Sequence, residues 1–352
     1  MKNAELILFW EVSGLALLFL REIDQNMLCI KHHSTDPYFN IATDEYIFKH
    51  IEEDCFMLWR NDNAIIVGKH QNTQAEINHE YVKERGIKVV RRLSGGGAVY
   101  HDLGNLNFSF TRTGDSYEMI DFERYTKPII EVLKQLGVDA KFEGRNDLTI
   151  NGKKFSGNAE HVFKNKVLHH GTLLFSSEMK DISGALKINP LKYKDRGVKS
   201  VPNRVTNISD HLPKKITLDE FTDRVMDHIT STFADARMYE FTEKDLATIQ
   251  KIRDEKYSTW EWNFGYSPDY NFRQGARTPG GTVEMNMNVT NGIIQEVKIT
   301  GDFFHLKDIG PIEQALKNTR HEEKMIREKL SQFNLKEYFS KITEDDLVAI
   351  MF

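Results

Sequence analysis

The sequence predicts an α/β chain followed by a smaller α+β region, and three observations carry that expectation. Short apolar runs alternate with amphipathic helical patterns from residue 27 to residue 136. Two Asn-Gly pairs, Asn151-Gly152 and Asn291-Gly292, each sit between β-prone segments, a hairpin signal. A stretch rich in aromatics, glycine and proline at 260–281 reads as a loop that separates the last hairpin and three helical patterns from everything before it. A length of 352 residues accommodates one large domain and one small one. The expected division is 1–26 as a leader, 27–262 as the main domain and 263–352 as the accessory domain.

Residues 27–31 read as a strand, and Asp36-Pro37 reads as an N-cap with proline at the first helical position. That helix is expected to run to about residue 52 and to bury Phe39, Ala42, Tyr46 and Phe48. Strands follow at 55–60 and 64–68, then a polar loop, a short helix near 80–85 and a strand at 88–92. The next strand is expected at 106–111. An amphipathic helix from about 121 to 136 is closed by Gly137. Strands flank Asn151-Gly152 at 147–150 and 153–156, and another covers 167–175. The second Asn-Gly pair joins 282–290 to 293–300, with helical patterns at 312–318, 322–332 and 345–351.

Composition excludes several classes. A net charge of −5 gives no overall basic field for nucleic acid or anionic membrane, so neither is expected as a partner. The two cysteines, Cys29 and Cys55, form no CxxC or zinc-ligand spacing, which argues for a reducing cytoplasm. The apolar run at 6–20 is interrupted by Glu11 and falls short of the roughly 20 residues that span a bilayer. It also lacks a basic start and a small-residue cleavage site. The first 26 residues are therefore read as a non-conforming leader, with Met27 as the functional beginning.

The most informative segment is Arg91-Arg92-Leu93-Ser94-Gly95-Gly96-Gly97-Ala98-Val99-Tyr100-His101-Asp102. Consecutive glycines cost conformational entropy and persist where the backbone itself has a task. Two cations followed by bare N–H groups suit a phosphate or a carboxylate; a flexible turn is the alternative. The pattern is neither a Walker A loop nor GxGxxG, because Tyr100 stands at the third glycine position. On the first hairpin Lys153 and Lys154 point to opposite faces, so one can enter a cleft; two exposed edge-strand lysines are the alternative. His169 and His170 likewise fall on opposite faces of a strand, as structural residues or as site residues, and no carboxylate at fixed spacing orients either as a base. Lys192, Lys194, Arg196 and Lys199 read as a solvated loop that can order over a ligand. Ser94, His101 and Asp102 lie too close in sequence for a triad, and Cys55 reads as core.

Taken together, RRLSGGGAVYHDLGNLNFSF, GRNDLTINGKKFSGNA, HHGTLLF and VPNRVTN resemble the lipoate–protein ligases of the biotin/lipoyl ligase superfamily, as do DPYFNIATDEY and LWRNDNAIIVGKHQN. The resemblance covers roughly residues 27–352, including the C-terminal accessory domain of the long bacterial form. It implies a catalytic domain with a mixed sheet, related to class II aminoacyl-tRNA synthetases and biotin ligases, plus a small α+β domain. It implies two half-reactions: lipoate and MgATP give lipoyl-AMP and pyrophosphate, and the lipoyl group then passes to a lysine of an apo lipoyl domain.

By that resemblance Lys154 is the catalytic lysine, touching both the acyl and the phosphate side. Arg92, Gly97, Ala98, Val99 and Tyr100 match the ATP/adenylate loop, with Asn146 and Asp147 at adenylate-pocket positions. Trp59, Gly96 and His170 match lipoate-side positions, and the 196–200 loop is a neighbour. ATP and Mg²⁺ are the implied cofactors; the sequence does not show the metal's ligands, and Asp147 is a candidate. The implied partners are lipoate, the E2 subunits of 2-oxoacid dehydrogenases and the glycine cleavage H protein. The enzyme is expected to be cytoplasmic and monomeric.

The residues agree with that chemistry. Joining a carboxylate to the α-phosphate brings two anions together, which calls for fixed cations and N–H donors. An eight-carbon chain adds about 0.8 kcal/mol per buried CH₂, so octanoate is expected to compete weakly. An ATP-independent octanoyl or lipoyl transferase of the same superfamily, and an inactive lipoate-binding paralogue, are the competing readings.

Overall fold

The computed structural model describes residues 27–114, 120–186, 193–195, 205–233, 235–303, 307–339 and 341–352. The leader at 1–26, Lys192 and the 196–200 loop lie outside them. The described chain divides into two compact units, one drawn from 27–62, 102–177 and 203–252, the other from 63–101, 178–202 and 253–352.

The first unit is built on a mixed sheet of eight described strands. Their order is Ala236–Met238, Met27–Lys31, Asp54–Trp59, Asn105–Thr113, Lys166–Leu174, Lys153–Phe163, Asp147–Ile150, Ala140–Glu143. The first two pairings are parallel and the rest antiparallel. Alternation along the strands sorts the faces. Phe56, Phe108 and Phe110 join Ile129, Val132, Phe221 and Val225, from the helices Phe122–Gln135 and Leu218–Thr232, in one apolar core. Ser109 and His170 point the other way, towards the helix Pro37–His50.

Local chemistry sets the helix ends. Asp36 caps Pro37–His50 from its side chain with proline at the first position. Asp121 caps Phe122–Gln135, and Gly137 follows it at φ +81°. Thr217 and Glu220 form a capping box on Leu218–Thr232. The Pro37–His50 helix buries Asn40, Thr43, Asp44 and Glu45 beside its apolar residues, an expensive arrangement unless each polar group is bonded. Asn40 Nδ2 accordingly donates to the carbonyls of Ser34 and Arg60, and Tyr46 donates to Asp245.

The second unit holds two described sheets. One orders Lys88–Arg91, Ala64–Val67 and Val99–His101. The other is antiparallel, Tyr193–Asp195, Tyr270–Thr278, Gly281–Thr290 and Ile293–Gly301, and packs Phe272, Met285, Met287 and Ile294 on Ile312, Ile326 and Leu347 of three short helices. Both Asn-Gly turns adopt the left-handed pair the hairpins require, Asn151 at φ +52° with Gly152 at +70° and Asn291 at +49° with Gly292 at +72°.

Three expectations are corrected. The strand following the glycines is Val99–His101, with 105–113 the one after. Tyr270–Thr278 is a strand, not loop, because Tyr270 and Phe272 alternate with exposed Asn271 and Arg273 and pair along Gly281–Thr290. Tyr193–Asp195 pairs with that strand, so this part of the basic segment is a strand edge.

Candidate active site

In the second unit, the strand Lys88–Arg91 delivers two arginines in succession, and their side chains divide the work. Arg91 is fully buried, and its guanidinium donates to the carbonyls of Gly68, Lys69, Gln71, Trp262 and Asn263 and to the hydroxyls of Thr73 and Ser267. It thereby fixes the 68–73 loop and the 262–267 segment around one rigid fork. Burial lowers its pKa to about 10, so it stays charged at neutral pH.

Arg92, 6 % exposed, closes on its own loop. Its Nη2 donates to the carbonyls of Gly95 and Gly97, Nε to the Ser94 hydroxyl and Nη1 to the carbonyl of Ile66. Burial, with Arg91 adjacent, lowers its pKa to about 10. Carbonyls gathered on the guanidinium leave the loop shape fixed. Gly96 sits at φ +88°, and its carbonyl lies so close to Gly68 that a Cβ there would be 2.1 Å from it. Tyr100 is buried and donates from its hydroxyl to Asn63; Ala98 is buried, and Val99 and Gly97 are half-buried.

In the first unit, the Asn151-Gly152 hairpin carries Lys154. Its Nζ pairs with Asp147 Oδ1 at 2.7 Å, with side chains 25 % and 29 % exposed. A Cβ on Gly157 would stand 2.9 Å from the same Nζ, so glycine there leaves the ammonium its room. Lys153, its neighbour, is exposed. Asn146 Nδ2 donates to the carbonyl of Asn158, and the Asn158 amide returns a bond of 3.0 Å to the carbonyl of Asn146. Asn146, Asp147 and Lys154 are thus held on one hairpin, open to solvent at the charged pair.

Trp59 and His170 are also brought together. Trp59 Nε1 donates to Ser109 Oγ at 3.2 Å, Ser109 Oγ donates to Asp44 Oδ1 at 2.7 Å, and Asp44 Oδ2 meets His170 Nδ1 at 3.0 Å. Beside Trp59 a cavity of about 290 Å³ is lined by Lys31, His32, Thr35, Arg60 and Leu106.

The sequence showed no carboxylate orienting either strand histidine, and this is corrected. Asp44 faces His170, and Glu160 faces His169 at 2.9 Å. Asp44, Ser109, Asn158 and Glu160 were missed. Asp44 stands between Thr43 and Glu45, so its local sequence carried no signal; cross-strand register was the available one for Glu160. Cys29 and Cys55 are buried free thiols. Burial pushes the Cys29 thiol up to about 11 and raises the Cys55 thiol further, so neither is a nucleophile at neutral pH. Among the described residues no group of three or more His, Cys, Asp or Glu side chains is arranged to hold a metal ion.

A family profile described as "Lipoyl protein ligase A/B catalytic domain" matches residues 36–230, and one described as "Bacterial lipoate protein ligase C-terminus" matches 267–351. Lipoate-protein ligase LplJ of Bacillus subtilis is 43% identical over 321 residues, covering 90% of this chain and 97% of the relative. Among solved structures, a lipoate-protein ligase A bound with ATP aligns at a TM-score of 0.58 and 28% identity, over 69% of this chain and 99% of its own. A bi-partite lipoate protein ligase of Thermoplasma acidophilum, described with its E2 lipoyl domain, aligns at 0.60 and 28%, over 69% and 97%.

Proposed function

The chain belongs to the lipoate–protein ligase family, and from that premise we propose that it activates lipoate with ATP and transfers the lipoyl group to a lysine of an apo lipoyl domain. The observation that carries the chemistry is Lys154, an ammonium held by Asp147 at 2.7 Å yet a quarter exposed. In the first half-reaction a lipoate carboxylate oxygen attacks the α-phosphorus, and the bond to the β-phosphate oxygen breaks to release pyrophosphate. We assign Lys154 to the phosphate and acyl oxygens, where a fixed cation offsets the meeting of two anions. Arg92, through the loop it shapes, and Gly97, Ala98, Val99 and Tyr100 are assigned to ATP, with Asn146 and Asp147 on the adenylate. Gly96, Trp59 and His170 are assigned to lipoate.

In the second half-reaction the acceptor amine attacks the acyl carbon, the carbon–oxygen bond to AMP breaks, and the amine loses a proton to solvent. Lys154 then stabilises the departing phosphate. No covalent enzyme intermediate is required, and the raised pKa values of both cysteines disfavour the thioester route of a transferase.

Mg²⁺ is ordinarily held by substrate phosphates with one or two carboxylates rather than by a protein cage, and among the described residues no cage of three or more His, Cys, Asp or Glu side chains is present. We assign Asp147 to it, where the ion would neutralise phosphate charge. We further propose residues 27–262 as catalytic and 263–352 as accessory, a cytoplasmic monomer, and acceptors that include E2 subunits and the glycine cleavage H protein. No described helix is long and apolar enough to cross a membrane.

The test is to incubate the protein with lipoate and an apo lipoyl domain, with and without MgATP, and to weigh the acceptor. A gain of one lipoyl group only with MgATP supports the ligase. A gain without ATP from a pre-formed acyl donor would replace it with the transferase.

A further inference from the structure

On the face of the first unit's sheet that packs under the Phe122–Gln135 helix lies a buried polar row that the chemistry above does not use. We infer that Glu160, His169 and Asn158 form one hydrogen-bond chain that positions Asn146, and that a single proton shared by Glu160 and His169 sets the chain's direction. This rests on the assignment of Asn146 to the adenylate pocket.

The strands Lys153–Phe163 and Lys166–Leu174 pair Glu160 with His169 and Asn158 with Gly171. Asn158 and Glu160, two apart, share a face with His169. His169 Nδ1 lies 2.9 Å from Glu160 Oε1, and His169 Nε2 lies 3.3 Å from Asn158 Oδ1. The Asn158 amide nitrogen is committed to the carbonyl of Asn146 at 3.0 Å and to Ser156 Oγ at 3.2 Å. Its oxygen is therefore what faces the imidazole, and oxygen can only accept. Gly171 makes the crossing possible: a Cβ there would stand 2.1 Å from Asn158 Oδ1 and 2.5 Å from the Phe108 ring.

Nε2 must then carry a hydrogen. With one proton between Nδ1 and Oε1, this holds whether the pair is neutral acid and neutral imidazole or carboxylate and imidazolium. Remove that proton and the imidazole has one hydrogen left, which the carboxylate draws to Nδ1. Nε2 becomes bare and faces Asn158 Oδ1, acceptor against acceptor. The Asn158 amide must turn to recover a bond, and in turning it withdraws one of the two N–H groups that hold the carbonyl of Asn146, leaving the Asn158 backbone N–H at 3.0 Å as the other. The switch lies in tautomer and amide orientation, with no backbone displacement required.

The surroundings place this event near neutrality. The His169 and Glu160 side chains are 0% and 3% exposed, enclosed by Phe108, Phe122 and Tyr125. Burial pushes the Glu160 carboxyl up to about 7, with the Asp121 backbone N–H and Arg145 pulling down and the Asp121 carboxylate pushing up. Burial, with His170 beside it, holds His169 well below the usual imidazole range. Among the described residues Arg112, paired with Asp54, and Arg124 also act on Tyr125. Among the described residues Glu160 Oε2 has no hydrogen-bond partner, which further disfavours the carboxylate.

Glu160→Gln tests the chain, because its amide N–H donates to Nδ1 at every pH and keeps the hydrogen on Nε2. The kinetic readout is pyrophosphate release from lipoate and ATP without acceptor, which removes the acceptor amine's own titration. The ratio of wild-type to Glu160→Gln kcat/KM for ATP should fall about tenfold between about pH 6.5 and 8.5. The structural readout needs no variant and no substrate: ¹⁵N imidazole shifts of the histidine-labelled wild-type chain should show His169 passing from the Nε2–H to the Nδ1–H tautomer as pH rises through about 7. Parallel pH profiles in two active proteins would overturn the positioning role, and an unchanging tautomer would overturn the chain itself. A folded wild type that releases no pyrophosphate at any pH, while His169 still switches, would sink the ligase reading and leave the chain standing.

Discussion

Lys154 and Asp147 face each other across an Asn-Gly hairpin at 2.7 Å, the ammonium passing over Gly157, where a Cβ would stand 2.9 Å from it. The pair is held where a phosphate can take the place of Asp147 beside the ammonium. Lys154→Ala should lower the rate of pyrophosphate release by at least about 100-fold, the usual effect of deleting a charge-stabilising donor. Lys153→Ala, one residue away and exposed, should leave the rate within about twofold. Near-normal turnover by Lys154→Ala would remove the role assigned to it.

Gly68→Ala should damage ATP use. The added Cβ would meet the Gly96 carbonyl at 2.1 Å and the Arg92 guanidinium at 3.3 Å, and both belong to a loop held by several hydrogen bonds, so the loop must move. Overpacking of this kind costs about 1–3 kcal/mol, and the expected readout is a KM for ATP raised about tenfold or more. A KM equal to wild type would show that the glycine loop does not touch the nucleotide.

Ser109→Ala should act on lipoate. Its hydroxyl takes the Trp59 indole hydrogen and passes its own to Asp44, which in turn holds His170. Losing about 1 kcal/mol of orientation predicts a KM for lipoate about fivefold higher, with the KM for ATP unmoved. Equal shifts in both would mean that the substitution disturbs the fold in general.

Much of this arrangement was legible in the sequence, and the exceptions share a cause. The Asn-Gly turns announced both hairpins because a type I′ turn requires positive φ at both central residues, and Asn and Gly tolerate it. The Arg91-Arg92 pair was legible as a cationic entry to the glycine loop. That Arg91 serves Trp262, Asn263 and Ser267 was not, since those partners lie 171 to 176 residues away. His170 meets Asp44 across 126 residues, and no local spacing encodes that. Tyr270–Thr278 begins with an alternating burial pattern in the fold, but Gly275 and the polar Asn271, Arg273, Gln274, Arg277 and Thr278 made it read as loop.

Acid should destabilise the chain through His321. Its Nε2 faces the carbonyl of Met351 and its Nδ1 the Tyr270 hydroxyl, with Phe352 stacked on the ring. Burial lowers its pKa to about 4 from 6.5. A base depressed in the fold contributes stability above its unfolded value and loses it as pH falls, here between about 6.5 and 4. His321→Gln should show a shallower decline in urea midpoint than wild type over that window. Identical slopes would place the acid sensitivity elsewhere.

The central claim, that the acyl group is activated as an adenylate before any acceptor arrives, is tested most directly by mass spectrometry of the enzyme incubated with lipoate and MgATP alone. The account predicts lipoyl-AMP retained on the wild-type protein, with pyrophosphate released in equal amount, and neither product from Lys154→Ala. No lipoyl-AMP from the wild type, together with an acceptor that gains its acyl group from a pre-formed donor without ATP, would contradict it.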